Sequence, residues 1–350
     1  MKILYGVQGT GNGHISRARM MAKHLSARDV DVQYLFSGRA ASQYFDMEDF
    51  GRYQLRPGLS FAAINGRIST LHTLRNSRPL QFINDVRRLD VSGYDLIVTD
   101  FEPITAWAGR LKGKTVIGIG HQYAFGHPDV PRAGADLRNR LVMKLFAPAE
   151  IALGLHWHHF NGAIVPPIIS PEEQRLPSAA HTLVYLPFED QSRVTELLNT
   201  FDGQHFIQYS PQLNDAEYGN VSLRQTRLHG FKHDLCSARG VICNAGFELT
   251  SECLHMGLPV LAKPVAGQSE QLSNAAALRQ LGLAEIIDEL NSTDIARWLK
   301  QRRAVEPQHY PDVAAALCDW LLSKNWQHSQ ALVNSLWQRC SEPEKTAADC

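Results

Sequence analysis

Cysteine is scarce in this 350-residue chain and absent from its N-terminal half. No two cysteines are spaced as C-x-x-C, and the six positions are Cys236, Cys243, Cys253, Cys318, Cys340 and Cys350. A disulfide scaffold or a structural zinc site would require tighter clusters of cysteine. The pattern argues against both and predicts reduced thiols in a cytoplasmic protein.

Long apolar runs and net charge are also lacking. The apolar opening Met1–Val7 is too short for the core of a secretory signal, and no later run reaches the length that spans a bilayer. Lys and Arg total 35, as do Asp and Glu. This balance does not suit a protein that coats nucleic acid. We expect a globular chain with no nucleic-acid partner, and contact with a membrane surface stays open.

What the sequence does contain is an alternation of strand and helix patterns. Short apolar strands alternate with helical segments in the first half, in the order "KILYGVQG", "HISRARMMAKHLSAR", "DVQYLFSG", "DLIVTDFEP", "ITAWAGRLKG" and "KTVIGIGHQ". The alternation predicts a parallel sheet with crossover helices, whose ligands bind at the carboxyl ends of the strands. It restarts after "IVPPIISPEEQRLP", a segment with too many prolines for a helix or central strand. We therefore predict α/β domains at 1–163 and 178–325, a linker at 164–177 and a terminal helix within 326–350 that packs back on the first domain.

The first strand runs into "GTGNGH", a glycine-rich turn. A dinucleotide-binding loop has the pattern G-x-G-x-x-G and an acidic residue about 20 residues later. Here the third glycine comes one residue early, and Arg39 stands at the end of the second strand in place of an acid. An NADP site that uses Arg39 stays open. The alternative is a tight turn, with Gly11, Asn12 and Gly13 on the acceptor side, that clears space around His14.

His14 opens the first helix at the carboxyl edge of the predicted sheet. A helix N-terminus disfavours a positive charge, so the imidazole is kept neutral and can take a proton from a hydroxyl group. Asp100 ends the strand "LIVTD" at the same edge. The two residues are our candidate catalytic pair.

The segment "CNAGFELTSECLHMGLPVLAKPVAGQSEQLSNA" combines several features of a nucleotide site. Gly246 lets backbone N–H groups approach a phosphate at the start of a helix. Glu252 follows in that helix, where a carboxylate can hold two ribose hydroxyls. A loop with Gln271 and Asn274 offers polar groups that suit a sugar.

This segment resembles the donor-binding part of GT-B glycosyltransferases, the group of the lipid II N-acetylglucosaminyl transferase and the UDP-glucuronosyl and UDP-glucosyl transferases. The resemblance implies two Rossmann-like domains that face an inter-domain cleft, with a nucleotide-sugar donor, a UDP-sugar, in the C-terminal domain and the acceptor in the N-terminal one. It implies phosphate contact at Gly246, ribose contact at Glu252 and sugar contact at Glu270 and Gln271. Asn274 falls on the Asn of the family's Q-x-x-N-A element. "GTGNGHISRA" resembles the family's N-terminal loop, whose histidine acts as base or transition-state contact.

The chain departs from that family pattern in two places. The Gly-Ser-rich turn after the first strand of the second domain is replaced by Pro187–Asp190, although Arg193 stays in register as a diphosphate ligand. The base-binding tryptophan motif is replaced by "HGFKHD", which makes Phe231 the candidate base site.

Two segments resemble metal-binding motifs, but they are weaker evidence for a functional site. Asp29 and Asp31 spell D-x-D, but they precede a strand and so lie at the wrong edge of the sheet. In "LHWHHF", read as a strand, His156 and His158 share one face and His159 the other, without a nearby residue to complete tetrahedral zinc. We expect no metal and no cofactor, with Arg193, Lys232 and helix N-termini neutralising the diphosphate.

The resulting hypothesis is transfer of a hexose or N-acetylhexosamine from a UDP-sugar to an acceptor hydroxyl. Arginines beside apolar residues predict an anionic, lipid-linked or cell-envelope glycan as acceptor, reached by peripheral contact with the inner face of the membrane; they are Arg67, Arg75, Arg78, Arg87 and Arg88. Three alternatives stay open: a nucleotide-sugar epimerase, an NADP-dependent oxidoreductase and an inactive nucleotide-sugar sensor.

Overall fold

Two seven-stranded sheets organise the chain, whose computed structural model describes residues 1–59, 63–64, 67–68, 78–133, 144–172, 174–177 and 180–341. The first sheet has the order β3-β2-β1-β6-β7-β8-β9, and all neighbouring strands are parallel. Its strands are β1 Lys2–Gln8, β2 Asp31–Ser37, β3 Tyr53–Arg56, β6 Leu96–Asp100, β7 Val116–Gly120, β8 Ile151–Leu155 and β9 Ile164–Val165. A separate antiparallel pair consists of β4 Ala63–Ile64 and β5 Arg67–Ile68.

The second sheet has the order β12-β13-β11-β10-β14-β15-β16 and is parallel except at its β12–β13 edge. Its strands are β10 His181–Tyr185, β11 His205–Ser210, β12 Ala216–Tyr218, β13 Val221–Gln225, β14 Val241–Asn244, β15 Val260–Lys263 and β16 Glu285–Ile286. The central strands are buried along their length, as expected for parallel strands covered on both faces.

Helices connect the strands of both sheets. They are α1 Asn12–Ser26, α2 Pro79–Arg88, α3 Pro103–Leu111, α4 His121–Ala124, α5 Gln191–Leu198, α6 Leu228–Ser237, α7 Phe247–His255, α8 Ser269–Leu281, α9 Ser292–Gln301, α10 Val313–Ser323 and α11 Ser329–Ser341. The local sequence explains where they begin. In α3, for example, Pro103 stands in the first turn and the Glu102 carboxylate accepts hydrogen bonds from Ile104 N and Thr105 N.

Two features of the structure lie near the predicted boundaries between the two halves. Ile164–Val165 belongs to the first sheet, because the backbones of Gly154 and His156 pair with this segment, so the irregular part of the linker begins at Pro166. The chain also returns to the first half earlier than residue 326. Helix α10 already packs on α1, where Arg28 and Asp319 form an ion pair at 2.7 Å.

Helix α11 continues this return along the edge strand β9. The Trp337 indole N–H donates to Ile164 O at 2.8 Å. In the part of the chain that the structure describes, no helix is both long and apolar enough to cross a bilayer. Of the five arginines proposed for the acceptor, Arg75 and the side chain of Arg67 lie outside the described residues.

Candidate active site

His14 and Asp100 lie side by side at the carboxyl edge of the first sheet. The pairing of β1 with β6 explains their proximity, since His14 follows β1 and Asp100 ends β6. His14 Nδ1 is 2.9 Å from Asp100 Oδ1, and the two residues are 8% and 1% exposed. When Nδ1 carries the proton that Asp100 accepts, Nε2 has a lone pair that can take a proton from a hydroxyl.

Arg17 holds Asp100 from the same helix face, one turn after His14. Its Nε and Nη2 donate to the two carboxylate oxygens of Asp100 at 3.1 and 2.9 Å, a bidentate pair. The Arg17 side chain is only 3% exposed. Burial acts to raise the pKa of Asp100, but Arg17 and His14 outweigh burial and hold that pKa below its usual value. Asp100 is thus kept ionised beneath His14.

Glu248 supplies a second carboxylate to Arg17 from the other half of the molecule. It lies in the first turn of α7 and accepts a hydrogen bond from Arg17 Nη1, although the two residues are 231 positions apart. Burial raises the pKa of Glu248 to about 7, while Arg17 acts in the opposite direction. His14, Asp100, Arg17 and Glu248 therefore form one buried network, which we call the charged cluster.

Further contacts bring the predicted sugar-binding residues to the charged cluster. The Gln122 amide lies 3.3 Å from His14 Nε2 and donates to Glu270 at 3.1 Å. His121 Nε2 is 2.7 Å from Asn274 Oδ1, and its ring stacks on Phe247 at 3.9 Å. The carboxyl edges of the two sheets consequently meet at His14.

The predicted nucleotide residues occupy the edge of the second sheet. Glu252 is 7% exposed and pairs with Lys232 at 2.7 Å. Gly246 is the N-cap of α7, and a Cβ built on it meets no atom within 4 Å, so there is open space at this turn. Gln271 is buried, and its side-chain oxygen accepts from Val265 N at 2.9 Å. In this arrangement Gln271 fixes the loop before α8.

Three further predicted residues make contacts outside the charged cluster. Arg193 is exposed on α5. Phe231 is partly buried between the rings of Tyr185 and Tyr209, with centroid distances of 5.3 and 5.1 Å. Asn12 accepts from Arg39 Nη1 at 2.9 Å.

A cavity of about 1790 Å³ lies between the two halves, beside Asn12 and Arg39. Its opposite wall includes Tyr209, Leu228 and Gly230 at the start of α6. The cavity is large enough for a sugar nucleotide or an extended acceptor, since small-molecule sites commonly measure about 300–1,000 Å³.

The histidine segment takes no strand conformation. Its interpretation as a strand is wrong, because β8 ends at Leu155 and the next residues form turns. His156 is buried and its Nδ1 accepts from Trp157 N at 2.8 Å, while His158 Nδ1 accepts from Phe160 N at 3.0 Å. Across the described ranges, no three His, Cys, Asp or Glu side chains are grouped so that they could hold a metal ion.

Gly13 provides a test of how closely the two halves meet. A Cβ at Gly13 would lie 2.5 Å from Glu248 Cγ, which Arg17 holds in place. We expect Gly13→Ala to lower the free energy of unfolding by about 1–3 kcal/mol, through overpacking, in urea denaturation. Gly230→Ala is the matched control, because its Cβ would meet only the Tyr209 hydroxyl at 3.4 Å. Equal losses in the two variants would show that the halves do not meet at Gly13.

Two sheets of mostly parallel strands, joined by helices and meeting at one site by their carboxyl edges, define the GT-B class of glycosyltransferase fold. The chain is similar to LpCGTa in complex with UDP (14% identity, TM-score 0.59, 97% of this chain and 99% of that one). It is also similar to MurG from Acinetobacter baumannii, with 15% identity, a TM-score of 0.55 and coverage of 96% of this chain and 99% of that one. The glycotransferase of kitacinnamycin is similar as well, with 14% identity, a TM-score of 0.56 and coverage of 97% of this chain and 98% of that one. The expected fold class is thereby confirmed.

The family model described as "Glycosyl transferase family 1" matches residues 1–302, and the chain belongs to this family. It is therefore a glycosyltransferase. No curated protein matches the sequence.

Sequence reasoning missed three members of the site: Arg17, Gln122 and Glu248. Arg17 carried a usable signal, because residues three apart on a helix lie on the same face and His14 was already a candidate. Gln122 follows the predicted strand "KTVIGIGHQ" at its carboxyl end, which is also where ligands bind. No sequence signal pointed to Glu248, since its partner Arg17 is contributed by the other half of the chain.

Proposed function

We propose that this glycosyltransferase moves a hexose or N-acetylhexosamine from a UDP-sugar to an acceptor hydroxyl, without a metal or cofactor. The observation that carries the proposal is the 2.9 Å contact between His14 and Asp100, with Glu270 linked to His14 through Gln122. A proton acceptor and a predicted sugar ligand thus lie in one place. The complexes of LpCGTa with UDP and of the spinosyn rhamnosyltransferase SpnG with thymidine diphosphate support a nucleoside diphosphate as the leaving group.

The proposed reaction begins with the acceptor hydroxyl at His14 Nε2. The hydroxyl gives its proton to Nε2, and Asp100 stabilises the imidazolium that forms. The oxygen bonds to the anomeric carbon of the sugar as the bond from that carbon to the diphosphate breaks, so UDP leaves. We expect the cleft between the two halves to close on the bound donor and to exclude water, which would otherwise hydrolyse the donor.

We propose an anionic acceptor on a lipid-linked or cell-envelope glycan, reached at the inner face of the membrane. Three arginines of the first half line the cavity, namely Arg39, Arg56 and Arg78. Guanidinium groups suit phosphates and carboxylates because they can donate two parallel hydrogen bonds.

A thermal-shift screen of UDP, TDP, NADPH and UDP-sugars tests the donor. We expect UDP to stabilise the chain by about 2.7 kcal/mol at a hundredfold excess over its Kd, and NADPH to have no effect. Stabilisation by NADPH but not by UDP would contradict the proposal and favour an oxidoreductase. Conversion of a UDP-sugar into its epimer without an acceptor would instead indicate an epimerase.

A further inference from the structure

Lys263 is a buried cation at the centre of the second sheet's carboxyl edge. It ends β15 and is 8% exposed. Its ammonium group donates to Glu189 Oε1 at 2.8 Å, and Glu189 lies in the turn after β10. The Asn244 amide, at the end of the intervening strand β14, donates to the same Glu189 oxygen at 3.3 Å. Three adjacent strands thus converge on one cation and one carboxylate.

The N-terminus of α7 follows β14 and lies beside the pair of Lys263 and Glu189. Among the described residues, no side chain caps the helix at Gly246, and there is open space around this glycine. Asn244 Oδ1 is buried and has no hydrogen-bond partner among the described residues. Ala245 N donates to Lys263 O at 3.1 Å, which ties the turn to the lysine strand. Free N–H groups, the helix dipole and a buried cation together favour an anion with several oxygens.

Glu189 opposes such an anion, and the backbone of its turn is held in place. The Gln191 amide donates to Leu186 O at 2.9 Å and to Glu189 O at 2.8 Å, so the turn is held at both ends. The carboxylate neutralises Lys263, which would otherwise be an unpaired buried charge. An arriving phosphate therefore competes with Glu189 for the ammonium group.

We propose that Lys263 is a donor-diphosphate ligand that exchanges Glu189 for the phosphate oxygens when the nucleotide binds. The inference rests on the proposed nucleoside-diphosphate donor. The pair takes over the role of the glycine-rich turn that Pro187–Asp190 has replaced. Glu189 keeps the cation neutralised while the site is empty and lowers the affinity for the diphosphate by competing with it.

Calorimetric titration with UDP, uridine and inorganic pyrophosphate tests the exchange. Glu189→Gln removes the competitor, so we expect it to bind UDP and pyrophosphate several-fold more tightly, with uridine unchanged. The double variant Lys263→Met/Glu189→Gln removes the cation without leaving a buried carboxylate unpaired. It is expected to bind UDP and pyrophosphate about 10- to 100-fold more weakly than Glu189→Gln, with uridine again unchanged.

The matched control removes an exposed ion pair from the same half, Arg297→Met/Glu285→Gln, and is expected to leave all three affinities unchanged. Weaker UDP binding in Glu189→Gln would overturn the exchange, because Glu189 would then only position Lys263. Equal UDP affinity in the wild type, Glu189→Gln and the double variant would also overturn it. Lysine-dependent binding of pyrophosphate without binding of UDP would leave the exchange standing and refute the UDP donor. Binding of neither would overturn both.

Discussion

Replacing His14 with alanine is expected to lower kcat for sugar transfer by about 10²- to 10⁴-fold. In the proposed reaction the variant loses the group that takes the acceptor proton, while Glu252 and Lys263 in the second half keep their partners. The affinity for UDP should therefore change by less than about threefold, because the proposal places His14 on the acceptor side. Steady-state rates with a UDP-sugar and calorimetry with UDP measure the two effects separately.

His24→Ala is the control for this prediction. His24 lies on the same helix as His14 but pairs with Asp312 at 3.1 Å, on the side that packs against α10. We expect its kcat to remain within about twofold of the wild type. A His14→Ala enzyme with full kcat would exclude His14 as the base. A wild-type chain that transfers no sugar, and whose function survives His14→Ala while Glu252→Ala abolishes ligand binding, would instead be a sensor of nucleotide sugars.

The sequence predicted the architecture well because parallel strands impose a shared edge. Once "KILYGVQG" and "DLIVTD" are recognised as strands of one sheet, His14 and Asp100 must lie at the same edge. The observed order places β1 directly beside β6, and the two side chains meet. Strand order itself could not be derived from local patterns, since it depends on packing between distant segments.

Contacts between side chains of distant elements could not be predicted from local sequence patterns. Lys263 looks like the polar end of a strand, and Glu248 looks like an ordinary first-turn acid at a helix N-terminus. Each acquires a role from a partner that another element supplies, Glu189 for the one and Arg17 for the other. Neither partner lies at a helical or strand spacing that would reveal the pairing.

The histidine segment shows the opposite problem, a sequence pattern that suggests a structure the chain does not form. A run of histidines next to apolar residues resembles a strand with a metal-binding face, yet its side chains accept hydrogen bonds from nearby backbone N–H groups, as His156 does from Trp157 N. Arg193 is exposed at the start of α5, and its role as a diphosphate ligand stays a prediction.

Arg17→Met is expected to lower the free energy of unfolding by about 3–5 kcal/mol. The substitution leaves Asp100 and Glu248, which are 1% and 9% exposed, without their shared cation. Burying uncompensated carboxylates is costly because neither water nor another charge replaces the lost interaction. Urea denaturation followed by tryptophan fluorescence at neutral pH measures the loss.

Arg17→Met/Glu248→Gln separates this electrostatic explanation from simple loss of packing. The second substitution removes one of the two stranded carboxylates, so we expect the double variant to recover at least about 1 kcal/mol relative to Arg17→Met. Arg28→Met breaks the more exposed pair with Asp319 just beyond the same helix and should cost less than about 1 kcal/mol. A double variant no more stable than Arg17→Met would contradict the charged cluster as the link between the two halves. Recovery would instead mean that Arg17 stabilises the protein by neutralising these two buried carboxylates. The same arginine would then link the two halves and keep Asp100 ionised beside His14.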